Sequence, residues 1–74
     1  MKNNTTHHTA HELVNLIIEV KKAEGQYDAG YPYATGVLIS IIDGVRNGFT
    51  TLQSSIDSNY ELYKQDLAKL QRAA

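Results

Sequence analysis

Apolar positions recur along this chain with a helical period almost from end to end. After a polar start, Leu13, Leu16, Ile17 and Val20 fall at the three- and four-residue spacing that lines one face of a helix. Val14 and Ile18 widen that face, so the helix meets neighbours on more than one side. Thr9 and Glu12 stand at capping-box spacing, in which hydroxyl and carboxylate each satisfy a free backbone N–H. Lys21 and Lys22 suit the negative end of the helix dipole, and Gly25 suits a C-terminal stop. The pattern predicts a first helix that begins after Thr9 and ends near Gly25. Residues 1–8 show no period and are expected to fray.

Gln26 to Gly30 reads as a loop, and Gly30-Tyr31-Pro32 as a new start, because a first helical turn tolerates the missing proline N–H. The next apolar positions are Leu38, Ile42, Val45, Phe49, Leu52, Ile56, Tyr60, Tyr63, Leu67 and Leu70. They are separated by 4, 3, 4, 3, 4, 4, 3, 4 and 3 residues, a near-heptad stripe. Its phase carries through Gly44 and across Asn47-Gly48. This favours one long helix, straight or bent, of about 60 Å, with the first, short helix packed antiparallel on it. The uncovered part of such a helix calls for a second copy. The competing reading is a break at Asn47-Gly48, a strong turn signal, which gives a three-helix bundle. Either way the fold class is all-α, with residues 9–74 as a single helical domain.

Size sharpens the case for assembly. A chain of 74 residues is one domain. So short a chain rarely draws more than about 3–5 kcal/mol from its own core without a staple. It has no cysteine, which removes disulfides and thiolate zinc sites. Homo-oligomerisation is the staple expected. The net charge of −1 argues against a generic nucleic-acid coat, so duplex nucleic acid is not an expected partner. No apolar run approaches the roughly 18–20 residues of a membrane span, and the N-terminus lacks a leader pattern. A membrane is not expected as a partner, and a reduced cytoplasmic setting is.

Candidate chemistry is sparse. His7, His8 and His11 cluster at the first helix start, and two of them could share a face. Their order is not the HExxH arrangement and no further ligand follows, so exposed histidines are expected and no metal. Asp43 interrupts the most apolar segment. It is either a polar group in a ligand pocket or half of an i,i+3 pair with Arg46 that is worth little. Neither GxGxxG nor GxxxxGK[ST] is present, and no carboxylate pair or nucleophile motif stands out. An enzyme is not expected, nor a cofactor. Gly36, Ser40, Gly44 and Gly48 fall four residues apart, which on a helix makes a ridge of small side chains. Each glycine costs about 1 kcal/mol of helix propensity. Close helix packing, room for a flat ligand, or chance plus a turn could account for them. Tyr27, Tyr31 and Tyr33 flank the first loop and offer stacking surface with polar tips, or simply cover the end of the hairpin. The candidate ligand-binding residues are Tyr31, Tyr33, Arg46, Lys22 and Asp43.

The stretch Gly30-Tyr31-Pro32-Tyr33-Ala34-Thr35-Gly36-Val37-Leu38, followed by Ser40 and Ile41, resembles short orphan accessory proteins of tailed phages, over residues 9–50. That resemblance implies a phage origin and a role against host defence. One route is a sponge for cyclic-nucleotide immune signals, and anti-CBASS sponges are similar to this chain in architecture alone. The other is direct inhibition of a host defence protein. The expectation is a non-enzymatic counter-defence binding protein in the host cytoplasm. It would hold a cyclic nucleotide between protomers, with Tyr31 or Tyr33 stacking a base and Arg46 or Lys22 meeting phosphate. The alternatives are a protein-binding inhibitor using the same tyrosines, and a structural or assembly protein built on the stripe.

Overall fold

Three helices follow one another in the computed structural model, which describes residues 7–73: α1 (Ala10–Ala23), α2 (Gly30–Arg46) and α3 (Leu52–Ala73). Expectations for residues 1–6 lie outside the described residues. The capping box that opens α1 is closed in both directions. The Glu12 N–H donates to Thr9 Oγ1 at 3.0 Å, and the Thr9 N–H donates to Glu12 Oε1 at 2.8 Å. At the other end the Gly25 N–H bonds the Lys22 carbonyl and the Gln26 N–H bonds the Lys21 carbonyl. This Schellman closure needs a left-handed residue, and Gly25 supplies it at φ +83°.

The same closure ends α2 and overturns the single long helix that the unbroken stripe favours. The Gly48 N–H bonds the Val45 carbonyl, the Phe49 N–H bonds the Gly44 carbonyl, and Gly48 adopts φ +77°. α3 restarts at Thr51, whose Oγ1 accepts the Ser54 N–H at 3.2 Å. The stripe is buried unevenly across the break: α3 buries its stripe residue Ile56, whereas α2 buries Ala34 and Ile41, beside the stripe, and leaves Ile42 exposed. Turning at Gly48 lets Ile56 join Leu13 and Ile17 in the core, burial that a straight helix would leave to another chain.

The core consists of Leu13, Ile17, Val20, Ala34, Ile41 and Ile56. α1 contributes half of it and is the centre of the bundle, packing on both α2 and α3, which meet each other much less. Gly30 permits the α1–α2 approach. A Cβ there would lie 3.0 Å from Ile18 Cγ1 and 3.1 Å from Ile18 Cα. The start of α1 meets α3 directly, and its end reaches α3 through α2. His8, just before α1, stacks on Tyr60, while Lys21, near the end of α1, sits over Tyr33, which meets Tyr63. A groove lies between α2 and α3. Ile39, Ile42, Phe49, Leu52 and Leu62 stay exposed.

Candidate functional site

Two grooves flank α2. The larger, about 580 Å³, lies between α2 and α3 and is lined by Pro32, Tyr33, Gly36, Val37, Ser40 and Ile41 from α2, and by Ser55 and Asn59 from α3. None of these residues carries a charge. Part of the small-residue ridge lines it: Gly36 and Ser40 face the groove, and a Cβ on Gly36 would meet nothing within 4 Å. Gly44 belongs to a different contact, where a Cβ would stand 3.6 Å from the Thr50 methyl, and Gly48 makes the turn. The ridge thus splits into groove lining, loop packing and helix stop. Asn59 Nδ2 donates to the Ser55 carbonyl at 2.8 Å, which holds its amide along α3.

Tyr33 closes one end of this groove. Its ring meets Tyr63 edge-on at 6.3 Å, and the Lys21 ammonium lies 3.9 Å from its centroid. Lys21 also reaches Glu24 at 3.1 Å. Burial pushes the Tyr63 hydroxyl well above the usual phenol range, and the neighbouring Tyr33 and Asp66 push it the same way. Tyr63 therefore stays neutral across the physiological range.

The smaller groove, about 490 Å³, lies between α1 and the start of α2, lined by Asn15, Ile18, Glu19, Lys22, Tyr27, Asp28, Gly30 and Tyr31. Tyr27 and Tyr31 are each 71% exposed. Lys22 Nζ stands 3.8 Å from Glu19 Oε2, so its charge is shared locally.

The five expected ligand-binding residues are therefore distributed over the surface. Tyr31 and Lys22 share the smaller groove, and Tyr33 lines the larger one. Asp43 and Arg46 are exposed near the C-terminal end of α2 and line neither groove. Among the described residues no ion pair joins Asp43 to Arg46. The histidines also part company. His11 is exposed on α1, while His7 and His8, read from sequence as part of the fraying end, dock on α3. Asp57 is the anchor: Oδ2 faces His7 Nδ1 at 2.8 Å, and Oδ1 accepts the His8 N–H at 2.8 Å and Gln53 Nε2 at 3.0 Å. Gln53 Nε2 also donates to the His8 carbonyl at 2.8 Å, and the His8 ring stacks on Tyr60 at 3.6 Å, nearly parallel. Hydrogen bonds from His7 and His8 hold the Asp57 carboxyl below its usual range. Among the described residues no group of three or more His, Asp or Glu side chains is placed to hold a metal ion.

The sequence reads Ser54, Ser55 and Ser58 as a solvent-exposed polar face, yet Ser55 is half-buried and forms the α3 wall of the large groove with Asn59, which the sequence did not single out. The clasp at Asp57 was missed. The signal for the clasp was Gln53 and Asp57, one turn apart on a single face. No family model matches the chain, and no curated protein and no solved structure is significantly similar to it.

Proposed function

We propose that this chain is a non-enzymatic binding protein that captures a helical segment of another protein in the groove between α2 and α3. The observation that carries this reading is the chemistry of that groove. It is open and uncharged, floored by Val37 and Ile41, and shallow-sided at Gly36 and Ser40 where a partner backbone can come close. Tyr33 at one end and Ser55 and Asn59 on the far wall supply polar tips to fix the register of the guest. No lining residue is a cation for a nucleotide phosphate, and Lys21, over Tyr33, is paired with Glu24. In the setting that the phage resemblance implies, the guest is a host defence protein and the effect is inhibition.

A cyclic-nucleotide sponge is the second reading, and one observation favours it: Tyr31 and Lys22 converge, with Tyr27, on the smaller groove. Glu19 and Asp28 line the same groove and oppose an anion, so Arg46 would have to come from a second copy. Gly36→Leu separates the two readings, since it fills the large groove and leaves the small one untouched. Partner capture lost in Gly36→Leu and kept in Tyr31→Ala supports helix capture. The reverse pattern, with a cyclic-nucleotide mass adduct lost in Tyr31→Ala, replaces it with the sponge.

A further inference from the structure

We propose that this chain forms a domain-swapped dimer in which residues 47–51 straighten and α3 packs on α1 of a second copy. The occupant of the α1 surface is the same in both states, the α3 helix; only the chain that donates it changes. Four observations converge. The apolar stripe keeps its phase across the turn, so α2 and α3 can join into one continuous helix without moving any stripe residue off its face. α2 and α3 touch little, so opening the turn costs few contacts between them. The α1–α3 contacts are re-formed in trans: Ile56 against Leu13 and Ile17, His8 on Tyr60, and Asp57 with His7 and His8. Finally, the stripe residues beside the turn are the ones left unburied in the closed chain. Phe49 is 83% exposed, Leu52 53% and Ile42 52%. In a straightened helix these three share one face with Val45 and Ile56. Two such helices crossing antiparallel about a two-fold axis at Phe49 bury these residues on each other. The same crossing lays each α3 beside the partner's α2, where α1 waits.

Gly48 is the switch point. Its φ of +77° suits glycine best in the closed turn and penalises alanine, whereas a straight helix favours almost any residue over glycine. Gly48→Ala therefore penalises the closed chain and favours the open one. The test uses the full chain, free of native cysteine, carrying His8→Cys and Tyr60→Cys at the stacked pair, joined by a short bis-maleimide linker. Mass is read in native solution and again on a denaturing gel. With Gly48→Ala added, the 8.2 kDa native mass doubles and the linker joins two chains, at least tenfold more often than with Gly48. Inserting four Gly/Ser residues after Gly48 relaxes the turn, and both the dimer and the interchain link disappear. A Gly48→Ala protein that stays monomeric with an intrachain link overturns the proposal. So does a dimer whose links remain within chains, which would be a side-by-side pair. If Gly48→Ala precipitates, the unsubstituted turn refolded at high concentration replaces it. Interchain links that rise with concentration support the swap, and links that stay within chains at every concentration overturn it.

Discussion

Two glycines on α2 show how differently one residue type can be used. Gly36 faces open groove, whereas a Cβ on Gly30 would stand 3.0 Å from Ile18 Cγ1 and 3.1 Å from Ile18 Cα, tight enough that Ile18 must give by a few tenths of an ångström. Gly36→Ala recovers helix propensity at no steric cost and should stabilise the fold by about 1 kcal/mol. Gly30→Ala forces α1 and α2 apart and should destabilise it by about 1–3 kcal/mol. Urea denaturation of the two variants should move the midpoint in opposite directions; equal shifts would contradict this reading of the α1–α2 contact. From sequence alone Gly36, Gly44 and Gly48 were grouped by their four-residue spacing, and Gly30 was read as a helix start. Spacing reports which face a residue occupies and not what stands opposite, so it could not tell groove from contact from turn.

At the level of elements, the ends were written more clearly than the middles. Thr9 and Glu12, Gly25 and Gly48 all do what their local chemistry suggests, because caps and left-handed stops depend on neighbours in sequence. Thr9→Ala should cost about 1 kcal/mol and fray the start of α1, read as faster amide exchange there. The long stripe misled because phase alone does not distinguish a continuous helix from two helices that share one core. The clasp on α3 was not legible, since it joins residues nearly fifty positions apart. It makes a pH prediction. Asp57 has its carboxyl held below the usual 3.8, so its stabilising effect is present above that value and fades as pH falls through the lowered one. Wild type should be more stable than Asp57→Ala at pH 7, and the difference should close in strong acid. A difference that persists unchanged at pH 2 would mean that the clasp does not act through the ionised carboxylate.

For the whole molecule, the governing fact is a small core centred on one helix. Leu13 and Ile17 are fully buried, and α1 bridges α2 to α3. Leu13→Ala removes about 2–5 kcal/mol, comparable with everything a chain of this size holds. Far-ultraviolet dichroism should report its helices largely melted at 25 °C, whereas Leu62→Ala, at an exposed site, should leave them intact. The all-α class was legible in the periodicity, and the width of the first helix's apolar face pointed to neighbours on more than one side. The α2–α3 groove was not legible, because it is made by how separate helices sit against each other. Of its lining, Tyr33 was named from the sequence as a stacking residue, while Ser55 was placed on a polar face and Asn59 was not singled out.

The most direct test of the account is site-specific photo-crosslinking in cells that express the protein. One variant carries a photoreactive residue at Ser40, in the α2–α3 groove, and another at Glu19, in the smaller groove. Helix capture predicts a discrete protein adduct from Ser40 that disappears when Gly36→Leu is added, and no comparable adduct from Glu19. A nucleotide-sized adduct at Glu19 with none at Ser40 would contradict it.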